Sequence, residues 1–233
     1  MCASRKRKRK QSLDPGDPPY QHQHTRMELD SHADTTALGS VCHVLQETGR
    51  TVTVEGFGES IGSLDDVPIV TAAVAYDCPT TFRTFILVFH ECLHIPEMQT
   101  HLINPFQMRM EGVTVNDVPL QLIPLEQRTK EDHSVMHPEA GLHIPMSLKG
   151  TMSGWTVRKP TQEEILDSTS QSRVTFVHMT SALKWKPNSL QFAAVEQTLR
   201  ADLDRGLSFH QKGIKRPQHT WLHASKGTGS PHS

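Results

Sequence analysis

No long apolar run occurs anywhere in the 233 residues. Stretches such as FILVF at 85–89 stop far short of the roughly 18 residues that a membrane-spanning helix needs. No hydrophobic segment follows the basic start MCASRKRKRKQ, so a secretory signal is not expected. Apolar residues are sparse at 36%, and adding the 14 glycines still leaves the total below that of a fully packed domain. Part of the chain is therefore expected to lie outside any core. The four cysteines, Cys2, Cys42, Cys78 and Cys92, show no CxxC or CxxxC spacing. Without a secretion signal, reduced thiols in an intracellular compartment, cytoplasmic or nuclear, are the expectation.

Net charge is nearly absent, with 24 Lys and Arg against 25 Asp and Glu, but its distribution is uneven. The basic run at 5–10 stands alone and reads as a solvated tail. It is the one place where phosphate charge, and hence nucleic acid, would be met. Histidine is abundant at 15 residues. His90/His94 and His133/His137 have HxxxH spacing, His22 and His24 flank a glutamine, and His90, Cys92 and His94 alternate along an apparent strand. A zinc site needs three or four converging ligands. No known ligand spacing is matched here, so no metal or other cofactor is expected.

Texture divides the chain. Residues 1–25 read as a basic and Pro-rich leader. Residues 26–124 hold short β-type segments between turn residues: RMEL before Asp30, TVTVEGF at 51–57, VPIVTAAVAY at 67–76, TFRTFILVF at 81–89 and VTVNDVPLQLI at 113–123. Alternation puts Val52, Val54 and Gly56 on one face, whereas FILVF suits a strand buried on both faces. Asn104 as cap, Pro105 at the first helical position and Gly112 at the end predict one short helix. A polar linker is expected at 125–141 and a partly ordered extension at 142–206. Within that extension lie a hairpin in LHIPMSLKGTMSGWTV, a helix capped by Thr161, and an amphipathic helix in 189–206. A loose tail follows at 207–233. The fold class expected is mostly β with a poorly ordered α/β tail.

The segment Glu28-Leu29-Asp30-Ser31-His32-Ala33-Asp34-Thr35-Thr36 sets an aspartate at the end of a strand, beside a hydroxyl residue and a polar turn. By itself such an Asp is most often a turn or capping residue. The segment nevertheless resembles the active-site signature of retroviral and retrotransposon aspartic proteases, with His32 standing where that family has glycine. Downstream, CLHIPEMQTHLINPFQMRMEG (92–112) is similar to a second protease segment of copia-type retrotransposon polyproteins, including the apolar pair Leu102-Ile103. Asn104 replaces a small residue. The likeness spans residues 27–117.

That resemblance implies a retropepsin-like closed β-barrel with one short C-terminal helix, and a homodimer in which Asp30 of each chain forms the catalytic pair at a two-fold axis. Two such carboxylates share one proton and activate water against a peptide bond of a polyprotein or peptide substrate. It also implies supporting roles for Ser31, His32, Ala33, Asp34 and Thr35 in the active-site loop. Gly56, Phe57, Gly58 and Ile61 would form a substrate-covering flap, and Leu102, Ile103 and Asn104 would lie beneath the loop. Ile165-Leu166-Asp167-Ser168-Thr169 is a superficial second copy that follows helical rather than strand sequence. Two alternatives belong to other classes. One is an inactive protease remnant kept as a dimerisation or peptide-binding module; the other is a basic-tailed, His-rich nuclear binding protein, with zinc as the metal it would use.

Overall fold

The computed structural model describes residues 23–56, 62–166 and 174–204. Strands dominate. In chain order they are β1 (His24–Leu29), β2 (Ala37–Leu38), β3 (His43–Glu55), β4 (Ser63–Asp77), β5 (Thr84–His94) and β6 (His101–Ile103), then helix α1 (Pro105–Met110) and β7 (Thr114–Asn116). After them come β8 (Ser134–His137), β9 (Leu142–Pro145), β10 (Ser147–Lys149), β11 (Met152–Arg158), α2 (Gln162–Leu166), β12 (Val174–His178) and α3 (Leu190–Asp204).

Nine strands make one sheet in the order β10-β11-β1-β6-β2-β5-β4-β3, with β12 added parallel to β5. A contact between β11 and β4, Arg158 opposite Ala75, joins strands far apart on this path and turns the sheet into a ring. A separate sheet, β7-β8-β9, packs Val115, Val135, Leu142 and Ile144 into the ring's main core.

The continuous apolar run at 85–89 is explained by what lies on either side of it. Phe85, Leu87 and Phe89 face the main core with Val70, Ala72 and Val74 of β4. Ile86 and Val88 face outward with Ala73 and Ala75, where Ile165 of α2 and Val174 of β12 cover them. Both faces are therefore buried, as a strand without alternation requires. Helix α1 forms as its capping residues dictate: the Asn104 side chain accepts from Gln107 N, Pro105 opens the helix, and Gly112 leaves it at a φ of 91°. Helix α2 begins with a reciprocal cap, in which Glu164 N donates to Thr161 Oγ1 (3.1 Å) and Thr161 N donates to Glu164 Oε2 (2.8 Å).

Several expectations are corrected. The leader was expected to run to residue 25, yet His24 and Thr25 already pair with Arg158 and Val157. The strand expected over 113–123 ends at Asn116, and Pro119 and Pro124 instead open single 3₁₀ turns at Leu120–Leu122 and Leu125–Gln127. Proline cannot donate to a ladder, which is the physical reason. The stretch 125–141, expected as linker, contains β8 with Val135 fully buried. The extension, expected to be only partly ordered, supplies strands to the main sheet, since β11 lies between β10 and β1 and β12 lies beside β5. The basic run 5–10 and the tail from 207 lie outside the described residues. Among the described residues, no helix is long and apolar enough to cross a membrane.

Candidate active site

Asp30 follows directly on β1. Its backbone N–H donates to Ile103 O (2.9 Å), continuing the parallel pairing of β1 with β6. Its Oδ1 accepts from the N–H groups of His32 (2.9 Å) and Ala33 (3.3 Å), so the carboxylate organises the loop that follows it. The side chain retains 22% exposure. It opens into a cavity of about 690 Å³ that His32, Asp34, Thr35, Val54 and Leu102 also line.

This loop is clamped from below by α1. Asn104 Nδ2 donates to Ala33 O (2.8 Å), Asn104 N donates to Thr36 Oγ1 (3.2 Å), and Gln107 Oε1 accepts from Thr36 N (3.0 Å). Gln107 Nε2 donates in turn to Glu91 O (3.2 Å), so one buried glutamine ties the Asp30 loop to β5. Thr36 and Gln107 were not picked out by sequence reasoning. Their polarity next to an apolar pair was the available signal.

Glu91 is the other residue that sequence reasoning missed. Opposite Thr71 the β4–β5 register slips, leaving two β5 residues facing one β4 residue. Glu91 adopts a φ of 49° at this bulge. Its carboxylate is nearly buried, pairs with Arg50 and also accepts from Trp185 N (3.1 Å). A charged residue interrupting FILVFHECLH is the trace it leaves in the sequence.

His32, Ala33, Asp34 and Thr35 line the same cavity as Asp30. Ser31 is exposed and is not among the residues lining the cavity. His32 has no left-handed backbone: Asp66, Phe82, Glu91 and His133 are the described non-glycine residues at positive φ. Its ring is largely solvent-facing, with Nδ1 3.9 Å from Asp30 Oδ1. Gly56 lines the cavity and bonds to Gly62 O (3.3 Å), closing the β3–β4 hairpin; Phe57, Gly58 and Ile61 lie outside the described residues. Leu102 faces the cavity, Ile103 is fully buried, and Asn104 caps α1. Of the superficial second copy, Ile165 and Leu166 belong to α2 and the rest lies outside the described residues.

No protein-family model, curated protein or solved structure matches this chain.

His90 pairs with His178, Cys92 is fully buried with Sγ against Val70 O (3.4 Å), and His133 bonds to Ser153 Oγ (2.9 Å). Among the described residues no three His, Cys, Asp or Glu side chains gather to hold a metal ion. Cys42, Cys78 and Cys92 are free thiols, and burial pushes Cys42 up to about 11.

His101 has a structural task near the site. Buried beside β1, it accepts from Gly39 N at Nδ1 (2.8 Å) and lies 3.2 Å from Val41 O at Nε2, fixing the chain that follows β2. Gly39 is needed here because a Cβ would stand 2.1 Å from Met98 O. Burial pushes the His101 pKa down to about 4. The unfolded chain therefore takes this proton first. The neutral imidazole's contribution is whole above about pH 6.5 and is lost as pH falls toward 4, by up to roughly 3 kcal/mol. Urea unfolding at stepped pH should show this loss, and His101→Gln should flatten it.

Proposed function

We propose that this chain is an aspartic endopeptidase of the retropepsin type, active as a homodimer, with Asp30 of each copy forming a carboxylate pair that activates water against peptide bonds. The observation that carries the proposal is the placement of Asp30. It sits at a strand end, its carboxylate is held through Oδ1 by two loop N–H groups, and it faces a cavity large enough for side chains of a peptide. The α1 clamp on Thr36 and Ala33 supports it further, since a water-activating pair must be held to within a fraction of an ångström.

One Asp-bearing loop of this kind is present among the described residues, so the chemistry calls for a second copy. In such a pair the ionised carboxylate takes a proton from water and the protonated one donates to the carbonyl oxygen. The test is cleavage of a peptide library at mildly acidic pH across a range of protein concentrations. Activity should rise more steeply than concentration, be blocked by a pepstatin-like inhibitor, and vanish in Asp30→Ala. Cleavage that survives Asp30→Ala would sink the assignment. A demonstrated dimer that cleaves nothing would favour the peptide-binding module.

A further inference from the structure

Past β12 the chain turns back over the candidate cleft. Its departure point is fixed to β5: Met179 N donates to Val88 O (2.8 Å), and Thr180 Oγ1 accepts from His90 N (2.7 Å) and donates to His90 O (2.8 Å). Beyond it, Trp185 meets the site twice. Its backbone N–H donates to Glu91 Oε2, and its indole N–H donates to Asp34 O at 2.9 Å. The indole also packs against Phe106 of α1 and Phe192 of α3, with ring centres 6.2 and 5.8 Å away. Trp185, Pro187 and Asn188 line the same cavity as Asp30. Helix α3 then leaves Leu190 and Leu199 in solvent, so the segment has a small purchase on the body.

At the departure point stands a histidine pair. His90 of β5 and His178, the last residue of β12, have ring planes only 8° apart, with His90 Nε2 2.8 Å from His178 Nδ1. A bond between two ring nitrogens needs one N–H and one lone pair, so it cannot form when both rings are imidazolium. His90 Nδ1 is 3.1 Å from Thr71 Oγ1 on β4. The charged groups facing the pair are Glu91 of β5, already engaged by Arg50, and Glu111 just past α1, which bonds to Ser181 and also has His137 of β8 near it. Burial, then His178, hold His90 below the usual histidine range, against an opposing pull from Glu91.

We propose that residues 181–192 form an acid-released strap across the candidate cleft, with the His90–His178 pair as its catch. The proposal rests on the cleft being where a polypeptide binds. Above the ordinary histidine pKa the pair is bonded and the strap is seated. At acid pH, once both rings carry a proton, neither has a lone pair left for the other and two N–H groups confront each other. The end of β12 then parts from β5, and Trp185 leaves Asp34 O and Glu91. Protonation of Glu111 weakens its hold on Ser181 in the same direction.

Hydrogen exchange on the full chain, read by mass spectrometry and normalised to free-peptide rates, tests this. On stepping down from about pH 7.5, protection over 174–192 should fall by about tenfold at a pH where β4 and the centre of β5 stay protected. His178→Gln, neutral throughout and still able to hydrogen-bond, should abolish that fall; His90→Gln serves equally if the first variant misfolds. Unchanged protection, a fall that persists in the glutamine variants, or a loss spread over the whole sheet would each overturn the strap. Cleavage assays with Asp30→Ala report on the protease assignment separately, so strap release without any proteolysis condemns that assignment alone.

Discussion

Adding a fivefold excess of Asp30→Asn to a fixed amount of the wild-type chain is expected to lower peptide cleavage to about one-sixth, because random pairing leaves only that share of wild-type subunits with a wild-type mate. Asn keeps the shape of the loop-organising side chain and can still accept from His32 and Ala33 N–H through its carbonyl oxygen, so folding should be little affected. What it removes is the proton-carrying oxygen. A mixed pair then has one ionisable group where proton transfer in both directions is needed, and a loss of roughly three orders of magnitude is expected for it. The pure variant should also dimerise at least as tightly as wild type, since two carboxylates at one axis resist each other unless they share a proton. Initial rates and sedimentation on the same mixtures check both points. Activity unaffected by the excess would mean that each chain works alone.

Arg158→Ala should produce the largest loss of stability, about 3 kcal/mol or more in urea unfolding. The guanidinium is 7% exposed and grips two carboxylates at once: Asp77 through Nε (2.7 Å) and Nη2 (2.9 Å), and Glu164 through Nη1 (2.8 Å) and Nη2 (2.6 Å). It sits at the residue where β11 meets β4, so it joins the ring's closure to the cap of α2. Its loss takes away the guanidinium that joins Asp77 and Glu164. Asp77 is half-exposed and water will screen its share, which places the effect at the lower end of that for a fully buried pair. Glu164→Gln should cost clearly less, because Asp77 remains with the arginine. Arg158 also holds the Glu164 carboxyl below its ordinary range. That contribution is present above the usual glutamate pKa and disappears as pH falls through the depressed value.

Local chemistry was legible in the sequence wherever it decided structure by itself. Asn104, Pro105 and Gly112 bracket α1 because capping and φ preference act within a few residues. Thr161 and Glu164 did the same for α2. Asp30 was visible at a strand end because β1 has the composition of one. What escaped depends on partners distant in the chain. SVMH at β8 carries little periodicity, and it is a strand because β7 and β9 flank it. β12 pairs with a strand some ninety positions earlier, Val174 opposite Thr84, and nothing near either residue announces the other. Gln107 looked like one more polar helix residue, yet its amide spans from Thr36 to Glu91. The glutamate's bulge could be suspected from its charge, but Trp185 as its partner could not.

The place of β11 has a consequence for how the molecule is made. β1 has β6 on one side and β11 on the other, and β11 closes the ring only once residue 158 is available. During synthesis, a ribosome that has delivered residues 1–124 has released a half-finished sheet with the outer hydrogen-bonding row of β1 bare. Such an edge invites pairing with another nascent chain. Expression of the first 124 residues alone should therefore give aggregates, whereas continuing through Arg158 supplies the missing neighbour from the same polypeptide.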